Sequence, residues 1–175
     1  MQKEFYDDLQ IELARDLEAA AGDIRQEFEK MELESLSLNW HEKQIYNQGW
    51  SIFGFRWQGE DLSPAYRLCP VTAAILKKHE DLIQTAGFST LKPGTIIYPH
   101  VGMTDEVLRM HLGVIVPEGD LALRVGNTIR HWEEGKTFIF DDTIEHEVWN
   151  RTPHTRVALL IDLKKELLPL PVAVS

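Results

Sequence analysis

Cysteine is almost absent from the chain. Cys69 is the only one in 175 residues, so no intramolecular disulfide can form and a reducing, cytoplasmic compartment is expected. Set beside Pro70, it reads as a small buried apolar residue, not a nucleophile. Long apolar runs are also missing. None reaches the roughly 18 residues a membrane span needs, and the N-terminus is acidic and amphipathic, unlike a secretory leader. The expected mature protein is therefore the whole chain, with no membrane contact. Basic residues are in deficit, 18 Lys and Arg against 28 Asp and Glu, for a net charge of −10. Such a balance repels a phosphate backbone, and no local basic patch offsets it, which argues against a nucleic-acid partner. Internal repeats, low-complexity tracts and a second-domain linker are lacking as well.

What is present suffices for one domain spanning residues 1–175, since 43% of residues are hydrophobic. Phe5, Leu9, Leu13, Leu17, Ala20, Ile24, Phe28 and Met31 recur every three or four positions, the period of one helix face. They predict a long helix within an N-terminal helical region, residues 1–38, with a bend at Gly22. Its apolar face would cover a sheet or join two copies into a homodimer. Beyond Asn39 the texture becomes short β-branched and aromatic runs separated by Gly, Pro, Asn and Asp. Strands are predicted at 51–57, 89–91, 95–99, 107–116, 121–125, 137–140, 145–150 and 156–163, with one helix at about 70–84. Many short strands at this spacing imply a mainly β chain, a double-stranded β-helix (jelly roll, cupin-like), with its core over residues 50–165.

Three histidines, His100, His111 and His146, fall on or beside these strands, whereas His41, His79, His131 and His154 sit in polar surroundings and read as solvated. Jelly-roll metal sites take ligands far apart in sequence from strands that converge, and His100 and His146 are 46 residues apart. A non-haem iron site commonly adds a carboxylate to two histidines. In the His-x-Asp/Glu form that carboxylate would stand at Gly102, which has no side chain to coordinate with. Asp105 is the nearest substitute, although its Gly-Met-Thr-Asp setting reads as a turn. Glu145 and Glu147 alternate with His146 and should face the other way.

The run His100-Val-Gly102-Met-Thr104-Asp-Glu-Val-Leu108-Arg109-Met-His111-Leu-Gly113, followed by Arg124-Val-Gly126, Trp132-Glu-Glu-Gly135, Phe140-Asp141-Asp142-Thr143-Ile144-Glu145-His146-Glu147-Val148-Trp149-Asn150 and Arg156, resembles the aspartyl/asparaginyl β-hydroxylase family over about residues 50–165. The resemblance implies an iron(II)- and 2-oxoglutarate-dependent dioxygenase that uses O2, with His100 and His146 on the metal and glycine in the carboxylate's place. It assigns Ser89 and Arg156 to the distal carboxylate of 2-oxoglutarate, His111 to its metal-chelating end, and Arg109 to substrate or cosubstrate acid groups. Arg124 also matches a family arginine, without a clear role. A buried Arg156 needs an anion, and its planar fork suits a carboxylate; an internal salt bridge is the alternative. Ser89 can equally be a plain strand residue, and Arg109 a surface ion pair. One departure bears on substrate: members acting on aspartyl side chains carry an arginine two residues before Arg109, where this chain has Val107.

The resemblance implies hydroxylation of an aliphatic C–H, at the β-carbon of an amino acid, aminoacyl group or peptide residue. Two rivals stay open. A vacant ligand position can accept chloride, which would make the chain a halogenase; a non-catalytic cupin-like binding module would need no cosubstrate anchor.

Overall fold

The fold follows from how one strand can bury both of its faces. In the computed structural model, which describes residues 2–31 and 37–170, the strand Arg156–Lys164 is buried along nearly its whole length. Side chains alternate across a strand, so it needs an apolar partner on each side. Val157, Leu159, Ile161 and Leu163 join a core with Leu13, Leu17, Ile24 and Phe28 of the N-terminal helices. Ala158, on the other face, joins a second core with Leu121, Leu123, Val125 and Val148. Arg156, Leu160 and Asp162 share that inner face.

In chain order the helices are α1 (Glu12–Ala19), α2 (Ala21–Lys30), α3 (Ser63–Leu68) and α4 (Pro70–Lys78). The strands are β1 (Leu38–Asn39), β2 (Trp50–Trp57), β3 (Glu60–Asp61), β4 (Ile83–Leu91), β5 (Ile96–His100), β6 (Val107–Ile115), β7 (Leu121–Val125), β8 (Thr128–Arg130), β9 (Thr137–Phe140), β10 (His146–Asn150) and β11 (Arg156–Lys164). One seven-stranded sheet runs β1-β2-β4-β11-β6-β9, with β3 also on β2; a four-stranded sheet runs β5-β10-β7-β8. Every strand pair is antiparallel. The two sheets face each other as a double-stranded β-helix, with helices outside the larger one.

The N-terminal region departs from one long helix in two ways. Phe5 forms a bridge with Phe140, and Tyr6 donates its N–H to the Ile139 carbonyl at 2.9 Å, so the first residues extend the larger sheet beyond β9. Phe5 is drawn there by Phe138 and Phe140, whose rings lie 6.0 and 6.1 Å from its own. The break falls at Ala20, whose φ of −99° and ψ of 7° leave helical geometry, while Gly22 lies inside α2. The buried face of both helices rests on the chain's own sheet. The boundary expected at residue 38 adjoins residues 32–36, which are outside the described residues. The expected helix at 70–84 ends at Lys78, because Ile83 already pairs with Leu163 in the sheet. Helix α3 and the short strands β1, β3 and β8 were not foreseen.

Acidic side chains of the N-terminal region tie it to the barrel. Glu27 accepts hydrogen bonds from the backbone N–H groups of Val71 and Thr72 at 2.6 and 3.0 Å, capping α4 where no local side chain does so. Glu18 accepts from the Thr137 N–H at 2.9 Å, and Glu4 from the Asn127 N–H at 2.9 Å. Cys69 is fully buried, and burial pushes its thiol pKa up to about 12, as packing residues behave.

A β-carbon added at Gly22 would meet nothing within 4 Å. Gly22→Ala should therefore stabilise the protein by about 0.4–1 kcal/mol, by narrowing the unfolded ensemble. Urea melts check this; a loss of stability would mean that the α1–α2 junction needs glycine.

Candidate active site

His100 ends β5 and His146 begins β10, and the register sets them directly opposite each other. Their ring centroids are 4.3 Å apart. Each Nδ1 faces a backbone carbonyl two residues earlier, Tyr98 O at 2.7 Å and Ile144 O at 2.9 Å. A carbonyl only accepts, so each Nδ1 carries the proton and each Nε2 keeps a free lone pair, the arrangement in which outer partners fix a ligand histidine's tautomer. Burial, and next the neighbouring His100, lowers the His146 pKa to about 3, so its ring is neutral at physiological pH. Among the described residues no group of three or more His, Cys, Asp or Glu converges as a metal cluster.

Inward from this pair lies a floor of polar groups set in apolar packing. His111 is buried, and its Nδ1 accepts from the indole N–H of Trp132 at 3.1 Å. Its Nε2–H is left without a partner. Burial, followed by the positive charge of Arg156, holds His111 well below its ordinary pKa, so it is a neutral donor. Arg156 is 1% exposed and lies over the Trp132 ring, 4.7 Å from its centroid. Its one hydrogen bond runs from Nη1 to the Ser89 carbonyl at 3.2 Å; Nε has no partner. Among the described residues no carboxylate pairs with Arg156, and burial lowers its pKa to about 9. Ser89, one strand over on β4 opposite Ala158, accepts from Trp50 Nε1 at 3.0 Å and keeps its own hydroxyl proton to donate. His111, Arg156 and Ser89 thus present donors to one interior, where His111 Nε2 and Arg156 Nε lack an acceptor. Buried donors of this kind can meet a carboxylate.

The place of the missing carboxylate ligand is filled by another residue. Gly102 donates its N–H to the Asp142 carbonyl at 2.7 Å, and a β-carbon on Gly102 would come within 2.5 Å of Asp142 Oδ2. Asp142 is buried with Oδ1 unpartnered. Burial raises its pKa to about 6 against the pull of Arg109, whose Nη2 lies 3.5 Å from Oδ2. Asp141 instead faces its own turn, accepting from the Thr143 N–H at 3.0 Å. Asp105 is exposed.

A family model described as aspartyl/asparaginyl beta-hydroxylase matches residues 18–166. The chain belongs to this family. Ornithine lipid ester-linked acyl 2-hydroxylase of Rhizobium tropici is 45% identical over 120 residues, 67% of this chain and 42% of that protein. Aspartyl/asparaginyl beta-hydroxylase of Mus musculus is 39% identical over 121 residues, covering 65% of this chain and 16% of that protein. The match thus spans less than half the length of either relative. Among solved structures, a prolyl hydroxylase from Trichoplax adhaerens, in complex with a hypoxia inducible factor peptide fragment, superposes with a TM-score of 0.59 at 11% identity, covering 85% of this chain and 79% of that one. A Pseudomonas putida prolyl-4-hydroxylase gives 0.53 at 15% identity, covering 86% and 87%. At such identities these two establish the shared fold.

In this member of the β-hydroxylase family, Arg109 is already engaged. Its Nε and Nη2 donate to the two oxygens of Asp162 at 2.8 and 3.0 Å across β6 and β11. The pair is largely buried and lines the mouth of the site, so it is not the surface pair the sequence allowed. Arg124 turns away: it donates to Glu147 at 3.0 Å and Glu145 at 2.9 Å on the side of β10 opposite His146. A pocket of about 900 Å³ opens beside His100, and Gly102, Arg109, Asp142, Trp40 and Trp57 line it as well. His41 lines it too and is exposed, as expected, whereas His79 is paired with Asp16 at 2.7 Å and is not simply solvated. Asp142 and Asp162 were legible only in part, since nothing local distinguishes Asp142 from Asp141.

Gly102→Ala should cost about 1–3 kcal/mol, the scale of forced overpacking. The cost should largely disappear in an Asp142→Gly background, because the two positions compete for one space. Denaturant melts of the four proteins in the cycle measure the coupling; an equal cost in both backgrounds would contradict the packing described.

Proposed function

We propose that the protein is an iron(II)- and 2-oxoglutarate-dependent dioxygenase that hydroxylates an aliphatic C–H, the β-carbon of an amino acid, aminoacyl group or peptide residue. The observation that carries this reading is Arg156, a fully buried guanidinium that no carboxylate among the described residues meets, with an unpartnered Nε and the unpartnered Nε2–H of His111 beside it. Such a group is costly to bury unless an anion arrives to meet it. 2-Oxoglutarate supplies one carboxylate for a metal and a second for this arginine.

Iron(II), 2-oxoglutarate and O2 together supply the oxidative decarboxylation that yields succinate and CO2 and places one oxygen atom in the C–H bond. The chain's part is placement. His100 and His146 offer Nε2 lone pairs fixed by their carbonyl partners. Arg156 and the Ser89 hydroxyl hold the distal carboxylate, and the Nε2–H of His111, locked by Trp132, donates to the end nearer the metal. The apolar packing around Ala158, Leu91 and Phe140 keeps water from that end. Substrate enters through the pocket above Gly102.

Two details weigh against the rivals. The Asp142 carboxylate beside Gly102 is an unwelcoming neighbour for chloride, which favours hydroxylation over halogenation. A binding module without turnover has no use for the donors of Arg156. No helix among the described residues is long and apolar enough to cross a membrane. We place the protein in the cytoplasm on its single buried cysteine. A homodimer through the helical region would have to use the outer, charged faces of α1 and α2.

Arg156→Lys should raise the KM for 2-oxoglutarate about tenfold or more, since an ammonium cannot make two parallel hydrogen bonds. Iron affinity should stay the same. Succinate release against 2-oxoglutarate concentration gives the answer, and an unchanged KM would remove Arg156 from the cosubstrate site.

A further inference from the structure

The pocket wall carries a net negative charge, six carboxylates to three cations. Its carboxylates are Glu42, Asp105, Glu106, Asp142, Asp162 and Glu166, against the cations Arg109, Lys164 and Lys165. Two of those cations are already committed. Arg109 is forked onto Asp162, and Lys165 lies 3.5 Å from Asp141 Oδ2. Val107, on the same wall, adds an apolar side chain. An incoming carboxylate would therefore meet a net negative wall, with Lys164 as its one uncommitted cation among the described residues.

The aromatic part of the lining has the complementary chemistry. Trp40 stacks on Trp50 with centroids 4.3 Å apart, and Trp57 stands edge-on to Trp40 at 6.4 Å and to His41 at 5.3 Å. Trp57 is 38% exposed, so ring surface is left open to the pocket. In this corner Glu42 accepts from the Trp40 indole at 3.2 Å, and its nearest basic neighbour is His41 at 3.9 Å. Aromatic faces beside a carboxylate attract an organic cation through the ring quadrupole and the charge together. Elsewhere in the lining the buried Asp142 keeps an oxygen without a partner. Aromatic corner, negative wall and unsatisfied carboxylate are separate observations, and each favours a positively charged guest.

We propose that the pocket selects a substrate bearing an ammonium group, seated against Trp57, His41 and Glu42, while the carbon to be oxidised reaches the His100–His146 pair. This substrate class rests on the dioxygenase reading above. Val101 and Met103 at the mouth are 58% and 84% exposed, so the uncharged part of such a molecule has apolar surface to lean on.

Hexylammonium, 1-hexanol and hexanoate form a matched cationic, neutral and anionic series. Their binding to the anaerobic protein loaded with iron(II) and 2-oxoglutarate is measured by calorimetry at pH 8 and low ionic strength. Hexylammonium should bind about tenfold more tightly than hexanoate, with hexanol between, and added salt should shrink the gap. Glu42→Gln should weaken hexylammonium about fivefold and leave hexanol unchanged. Trp57→Phe should keep most of the affinity that Trp57→Ala loses. Equal binding of the three probes, tighter binding of hexanoate, or no binding of hexylammonium overturns the proposal. Succinate formation from 2-oxoglutarate by the aerobic protein is followed separately. Its absence would sink the dioxygenase reading alone, whereas charge-blind binding beside normal succinate formation would sink only the substrate class.

Discussion

A positive charge without a counter-charge, held in the middle of a barrel, is the constraint around which the rest is arranged. Arg156 opens the central strand β11, and the alternation that sends Val157 and Leu159 toward the helices sends Arg156 inward. Its cost is reduced by Trp132 beneath it and by one backbone carbonyl. Neither removes the need for an anion. The neighbouring donors, Ser89 and His111, are fixed in orientation by the indoles of Trp50 and Trp132.

The paired histidines and the buried donors belong to different sheets, and the fold brings them together. His100 and His146 come from the four-stranded sheet, while Ser89, His111 and Arg156 come from the seven-stranded one. The N-terminal arm supports the second set from the edge, because Phe5 packs on Phe138 and Phe140, and both of those rings meet His111. The proline hydroxylases and this chain share that architecture at low identity. Relatives named for an ornithine lipid acyl group and for aspartyl/asparaginyl residues share the family, so the scaffold tolerates different guests. What differs among guests must be read at the mouth, where Val107 and the Arg109–Asp162 pair stand.

Much of this was legible in the sequence because it rests on short-range periodicity. The strands at 121–125 and 137–140 emerge with the expected bounds, and the mainly β jelly roll follows from their spacing. Of the six site residues read from the sequence, His100 and His146 stand opposite each other and Ser89, His111 and Arg156 face one interior, whereas Arg109 is held by Asp162; their roles are proposals. Long-range contacts were not legible. Phe5 matches a helical period with Leu9 and Leu13, yet its ring is captured by β9, a contact 135 residues away that no local pattern records. Asp142 has the same difficulty: its identity is plain, but its opposition to Gly102 exists only once β5 and β10 pair. The aromatic corner joins Trp40 and Trp57 through β1 and β2, and two-residue strands such as β1 are too short for periodicity to reveal.

The central claim is that the two histidines and the buried donors bind one cosubstrate together. Anaerobic titration of 2-oxoglutarate into the iron(II)-loaded protein tests it most directly, because the chelate absorbs weakly in the visible. The account predicts a saturable band that requires iron and 2-oxoglutarate together and is shifted to higher 2-oxoglutarate concentration by Arg156→Lys. A protein that binds iron but gives no such band, or a band indifferent to Arg156, would contradict it.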